Sequence, residues 1–367
     1  MTDQSANDKA KVLLEKYLNG NCSEEEQALI EQWYLTLGTE PIDLTESALL
    51  EDFAELREIS IAPIKTYNKL RFLLPSAAAI AVLFMTVLLW QWKVDGNIKE
   101  EEVTLTQDFA PGSNKAILSI EGEADISLSG GQEALVSDGD LLSYSDGTSI
   151  KALESVRQVK LSTPVAGQYK VQLPDNTVVW LNALSSISYP TVFAEDERRV
   201  TVTGEVYFEV SPDKNKPFIV ETTEQRIEVI GTSFNLDAYG DNGNTLTTLV
   251  EGSLIVERND IRSNVLLKPG EQSIVSTDHK IVVKKVNVDE ESSWKDGLYI
   301  VHDASLAQYA KKIERWYDVQ IDMGSYADES LSAIIPRNAK LSEVLQAIEL
   351  KTGVKFFIEE RRVMAIN

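Results

Sequence analysis

The chain has 367 residues, with 35 Lys plus Arg against 58 Asp plus Glu and a formal net charge of −23. Residues 1–64 carry −10, residues 65–71 carry +3 and the remainder −16, so neither half offers the basic patch that a nucleic-acid backbone requires. One cysteine, Cys22, excludes an internal disulfide and leaves packing to stabilise every domain. The N-terminal piece reads as three short helices. Lys9 to Leu18 places Val12, Leu13, Tyr17 and Leu18 near one face and ends at Asn19-Gly20. Ser23 with Glu26 forms a capping box that opens a helix through Leu37, with Leu29, Ile30, Trp33 and Tyr34 on its apolar side. Thr45 to Ile59 repeats the pattern with Leu49, Leu50, Phe53 and Leu56. About sixty residues are marginal for an independent core, which leaves some apolar positions for a partner. The competing reading is that Trp33 and Phe53 pack on each other.

The uncharged run Phe72–Trp92, FLLPSAAAIAVLFMTVLLWQW, follows. As a helix rising about 1.5 Å per residue it reaches roughly 31 Å, the thickness of a bilayer's hydrocarbon core. Pro75 falls in the first turn, and Trp90 and Trp92 fall at the far end where indoles favour the headgroup layer. A cleaved signal peptide would be shorter and nearer the N-terminus, and a buried core helix would keep a polar stripe. The spacing therefore predicts a transmembrane helix over 70–93. Arg57, Lys65, Lys69 and Arg71 precede it, while Lys93 and Lys99 are diluted by Asp95 and Glu100–Glu102. The positive-inside rule then places residues 1–64 in the cytoplasm and everything after Lys93 on the far side.

Residues 100–289 have an all-β texture. The runs VVWLN, RRVTVTG, EVYFEV, PFIVET, RIEVIG, TLTTLVEG, SLIVER and KIVVKKV alternate with turn clusters. APGSNKAILSIEGEADISL (110–128) and TPVAGQYKVQLPDNTVVWL (163–181) look like copies of one hairpin unit, which predicts stacked hairpins arranged as a sandwich or a short solenoid. Residues 294–367 change period: strand LYIV, a helix from Ser305 to Trp316, strand VQID, strand LSAII, a helix from Leu341 to Leu350, then VKFFIE and RVMAI around a Glu360–Arg361 turn. Two β-α-β units of this size predict a compact α+β domain. Ser305, and Ser342 before Glu343, mark expected helix starts.

YLNGNCSEEEQALIEQWY, VTGEVYFEVSPDKNKPFIVET, VIGTSFNL, LVEGSLIVE, LKPGEQS and IERWYDVQI resemble the FecR-type anti-sigma factors of Bacteroidota over nearly the whole chain. GEVYFEV, then PFIV, then GTSFN is the most specific part. Pro174-Asp175-Asn176 stands where Asp-Gly is usual, a change that keeps turn chemistry. The resemblance implies a multidomain single-pass inner-membrane protein. Its parts would be a small all-α cytoplasmic domain, one transmembrane helix, an all-β FecR domain and a C-terminal domain similar to the signalling domains of TonB-dependent receptors.

The implied partners are an extracytoplasmic-function sigma factor, the signalling domain of a TonB-dependent outer-membrane receptor, and periplasmic and intramembrane proteases. Leu29, Ile30, Trp33 and Phe53 are the expected apolar sigma contacts, with Glu24, Glu25 and Glu26 meeting basic sigma residues.

Some relatives are thought to self-cleave at a Gly-Thr bond equivalent to Gly231-Thr232, by attack of the Thr hydroxyl on the preceding carbonyl. The bland reading is a tight bend followed by an ordinary strand residue. A denaturing gel of the purified chain decides: the bland reading expects one intact band, and a fragment pair breaking near residue 231 overturns it. Other catalysis lacks support. His279 and His302 are far apart, Glu205 and Glu209 read as solvated, and no metal spacing, phosphate loop or nucleophile elbow occurs, so no metal or cofactor is expected. The alternative from another class is a membrane-anchored envelope module that binds glycan or peptidoglycan through Trp180, Tyr189 and Tyr207.

Overall fold

The computed structural model describes residues 108–128, 131–132, 134–260, 263–276 and 280–366. They belong to one compact unit, Lys99–Asn367. The predicted helices of residues 1–64 and the run Phe72–Trp92 lie outside the described residues. Among the described residues no helix is long and apolar enough to cross a membrane.

The β part begins with β1 (Ser113–Asn114), β2 (Ala116–Ile120), β3 (Ile126–Leu128), β4 (Ala134–Asp138), β5 (Leu141–Tyr144) and β6 (Ser149–Ala152). It continues with β7 (Gln158–Ser162), β8 (Gly167–Gln172), β9 (Val178–Leu181), β10 (Ser186–Pro190), β11 (Arg198–Glu209), β12 (Phe218–Glu221) and β13 (Gln225–Val229). It closes with β14 (Ser233–Ala238), β15 (Asn244–Glu251), β16 (Leu254–Arg258), β17 (Asn264–Leu267), β18 (Glu271–Ser276) and β19 (Ile281–Lys285).

Strand pairing resolves these into two layers. The first runs β3-β2-β7-β10-β11-β12-β13-β16-β17. The second runs β6-β5-β4-β8-β9-β11-β14-β15-β18-β19. From β12 onward the chain lays one hairpin in the first layer, the next in the second, and so on. Each hairpin stacks on its predecessor through β13–β16 or β15–β18. The hairpins thus stack by alternation, and the two layers join through β11 into one curled, sheet-rich unit. The two similar stretches both form hairpins, β2–β3 and β8–β9, but in opposite layers. Their turns use Gly122 and Asn176, both at positive φ (82° and 66°), the conformation that Gly and Asn adopt most readily.

RRVTVTG and EVYFEV, which read as two strands, are the single strand β11, which crosses from one layer to the other. Its first half pairs in the first layer and Gly204–Glu209 in the second. Gly204 makes the crossing at φ 78°, so close to Ser185 that a Cβ would collide with that residue's backbone and hydroxyl. Before the bend β11 alternates buried and exposed positions; after it Glu205, Val206, Tyr207 and Phe208 are all buried. Val206 and Phe208 face the core between the layers, where Phe208 stacks on Phe234 at 4.9 Å and meets Phe218 edge-on. Glu205 and Tyr207 point the other way, so something must cover the outer face of the second layer.

The α+β part covers it. After the short helix α1 (Val288–Ser292) come β20 (Leu298–Ser305), α2 (Leu306–Tyr317), β21 (Gln320–Asp322), β22 (Ser330–Pro336), α3 (Leu341–Thr352), β23 (Lys355–Glu359) and β24 (Arg362–Ile366). The strand-helix order matches the expectation, but the strands flanking each helix lie in different sheets: β20 pairs β22 antiparallel, and β21-β24-β23 form a second small sheet. Ser305 caps α2 by accepting from the Gln308 amide at 3.3 Å. Leu306, Tyr309, Ala310, Ile313 and Trp316 recur at helical spacing, and all are buried. α3 starts at Leu341, as expected, but Ser342 lies inside its first turn and its hydroxyl donates to Asp108 instead of capping the helix. The core of the α+β part includes Tyr207, with Trp180 packed against it, so the two parts share apolar contacts.

Candidate functional site

The expected sigma contacts Glu24, Glu25, Glu26, Leu29, Ile30, Trp33 and Phe53 lie outside the described residues. Gly231 and Thr232 lie at the bend entering β14. A Cβ on Gly231 would come within 2.8 Å of Pro212, so close packing fixes a glycine there. Thr232 is buried, and its hydroxyl donates to the Ser253 carbonyl at 2.9 Å. A carbonyl oxygen holds that proton without acting as a base. Tyr189 and Tyr207 are buried, so of the three aromatics considered for sugar stacking only Trp180 remains partly open.

The chemically distinctive place is the seam between the second layer and the α+β part. Glu205 reads as a solvated strand acid but is buried at 6 % exposure, because the α+β part lies over its face of β11; Glu209, past the cover, is exposed. One Glu205 oxygen accepts from Asn182 Nδ2 at 2.7 Å and the other from Asn235 Nδ2 at 3.1 Å. Each amide then hands its carbonyl side to the α+β part. Asn182 Oδ1 accepts from Arg337 at 2.7 Å, and Asn235 Oδ1 accepts from the Trp294 indole at 3.0 Å. A buried carboxylate is costly unless hydrogen-bonded, and here both oxygens are satisfied by groups that also tie the two parts together.

Arg337 is the hub. It is 2 % exposed, donates to the Trp294 carbonyl at 2.8 Å, and stacks 3.8 Å from the Trp316 ring centre with Tyr299 at 4.9 Å and Trp294 at 5.6 Å. Its planar, weakly hydrated guanidinium suits an aromatic box of this kind. At one end of the seam Lys295 reaches over Trp180 and Tyr207. At the other, Arg315 lies 3.7 Å from the Tyr239 ring centre and pairs with Asp241.

Glu205 is the cross-strand partner of Asp237, so two carboxylates stand side by side on one face. Burial, and then the neighbouring Glu205, push the Asp237 carboxyl up to about 7. Lys312 on α2 faces both acids. Burial alone would lower its ammonium, but Glu205, Glu291 and Asp237 outweigh burial and raise it. A cavity of about 420 Å³ opens beside these groups, lined among others by Asp237, Gln272, His302, Tyr309 and Lys312. Among the described residues no cluster of His, Cys, Asp and Glu could hold a metal ion.

Comparison with known proteins assigns this architecture. Residues 159–254 match the family described as FecR protein, and residues 298–365 match FecR, C-terminal. A crystal structure at 1.65 Å of a candidate anti-sigma factor from Parabacteroides distasonis ATCC 8503 is 31% identical, with a TM-score of 0.52, and the match covers 57% of this chain and 98% of that one. The chain belongs to the FecR-type anti-sigma factors. A second structure under the same description, at 2.50 Å, gives 30% identity and a TM-score of 0.52 over 57% of this chain and 99% of its own. No curated protein matches. The seam of this FecR-type chain joins its two family domains: Asn182, Glu205 and Asn235 fall in the first matched range, and Trp316 and Arg337 in the second. Only GEVYFEV, with acids at Glu205 and Glu209 flanking Tyr207, carried a sequence hint of it.

Proposed function

We propose that this FecR-type protein is a single-pass inner-membrane anti-sigma factor that relays a periplasmic signal. In this reading residues 1–64 hold an extracytoplasmic-function sigma factor in the cytoplasm, and the run Phe72–Trp92 crosses the membrane. The unit Lys99–Asn367 faces the periplasm and receives the signalling domain of a TonB-dependent outer-membrane receptor. Periplasmic and intramembrane proteases complete the release. The observation that supports this reading is the sequence of parts: an acidic amphipathic N-terminal piece, an uncharged run, then the FecR and FecR C-terminal domains joined through the buried Glu205–Arg337 seam.

Occlusion of a partner's groove by a small amphipathic bundle concentrates its binding energy in a few buried aromatics. The full chain in detergent, used to capture each extracytoplasmic-function sigma factor of its host, is expected to retain one of them. Trp33→Ala with Phe53→Ala is expected to weaken that retention at least tenfold, about 1.4 kcal/mol. Capture of none removes the anti-sigma reading. Capture indifferent to the double substitution removes Trp33 and Phe53 as contacts.

A further inference from the structure

The chain enters the folded unit through the hands of its last domain. Residues 93–107 separate the uncharged run from Asp108, and Asp108–Gly112 then lie against the α+β part before β1 joins β8. The N-terminal amides of α3 need acceptors, and Lys340, which precedes the helix, offers no capping oxygen. The acceptors come from more than two hundred residues away. Leu341 N donates to the Phe109 carbonyl at 3.0 Å, and Ser342 N donates to Asp108 Oδ1 at 3.1 Å. The Ser342 hydroxyl donates to Asp108 Oδ2 at 2.9 Å. A carboxylate at this helix end also meets the positive end of the helix dipole.

The grip extends along the segment. Phe109 packs on the α+β core under the Arg361 guanidinium, 5.5 Å from the ring centre. Gly112 lies so tightly against the buried Trp316 indole that a Cβ would stand 2.5 Å from the ring. Trp316 is the same ring that stacks on Arg337 in the seam. One side chain therefore touches both the incoming chain and the contact that seats the α+β part on the β part.

We propose that Asp108–Gly112 is a latch closed by the C-terminal domain, so that displacing this domain from the β part releases Asp108–Gly112. The latch rests on the reading that a partner engages the folded unit, and it supplies the step by which such engagement reaches Asp108, where the chain enters that unit. A pull on α3 or a shift of Trp316 withdraws the cap, the Phe109 pocket and the Gly112 contact together, since all three belong to one domain.

Two measurements on the full chain in detergent, with no partner present, test this, so the outcome is independent of sigma-factor capture. The first is chymotryptic cleavage after Phe109, read by mass spectrometry. Arg337→Ala, which loosens the seam without touching the segment, is expected to speed that cut at least tenfold. A cut rate unchanged while the Trp294 and Trp316 fluorescence reports an opened seam overturns the latch. The second is hydrogen exchange at Leu341 and Ser342, whose amides have their acceptors in the segment. Gly112→Ala is expected to speed exchange at these two amides at least tenfold and leave Val344–Ile348 unchanged. Exchange at wild-type rates in Gly112→Ala overturns the latch even if Arg337→Ala fails to fold.

Discussion

Arg337→Ala is expected to lower the unfolding free energy of the unit Lys99–Asn367 by about 3–5 kcal/mol, the range for removing one member of a buried charged network. The guanidinium is almost wholly buried, so its truncation exposes nothing to compensating solvent. It removes one donor each from Asn182 Oδ1 and the Trp294 carbonyl, which keep the Ala183 and Gly297 amides, and it empties the space between Trp294, Tyr299 and Trp316. A desolvated cation–π contact contributes about 2 kcal/mol or more, so the stack on Trp316 is a substantial part of the loss.

Glu205 stays buried with both amides in place, but one of them has lost its anchor in the α+β part. Arg337→Lys is expected to recover less than half, because an ammonium offers no planar fork for Asn182 and Trp294 together. Urea titration followed by tryptophan fluorescence reads the effect, with the α+β part loosening before the β part. A loss below about 1 kcal/mol would show that the aromatic box closes without its cation.

The strands and helices were legible where a pattern is local. RIEV and LIVER alternate because each lies between a core and solvent, and α2 repeats Leu306, Tyr309, Ile313 and Trp316 at helical spacing because one face is buried. The seam was illegible for the opposite reason. Arg337 follows Pro336 in a turn-like stretch, and only distant aromatics make that position an interior one. Glu205 sits in a strand whose alternation predicts one wet face, until another domain covers it. Gly204 reads as a strand end, whereas the close approach of Ser185 makes it the point where one strand changes layers. The cap of α3 could not be read at all, since Asp108 and Ser342 meet only after the whole chain has folded.

The carboxylate pair makes the seam sensitive to pH, and the direction follows from proton counting. Asp237 in the folded state holds its proton up to about pH 7, whereas an unfolded aspartate releases it near its ordinary value of 3.8. Between those values the folded state binds more protons than the unfolded state. Stability therefore falls as pH rises from about 4 through 7, and the contribution is gone above 7. The full displacement corresponds to a few kcal/mol, on the order of 1.4 per unit.

The groups facing Asp237 set this balance. Glu205 from β11 repels its charge, Lys312 and Arg315 from α2 attract it, and the Tyr239 amide donates to its Oδ1 at 3.1 Å. Glu291 from α1 competes for Lys312, and His302 from β20 and Asp241 line the same cavity. Asp237→Asn keeps the acceptor for Tyr239 and removes the charge. It is expected to be about as stable as wild type near pH 4 and more stable by about 2–4 kcal/mol at pH 8. Urea midpoints of both chains from pH 4 to 8 isolate the effect, because every other titrating group is common to the two. Parallel curves would mean that Glu205 and Lys312 neutralise each other well enough for Asp237 to ionise in place. A curve for the Asn variant that flattens between pH 5 and 8 would locate the proton at the contact that seats the C-terminal domain. A rise in pH would then loosen the same domain whose displacement opens the Asp108–Gly112 latch.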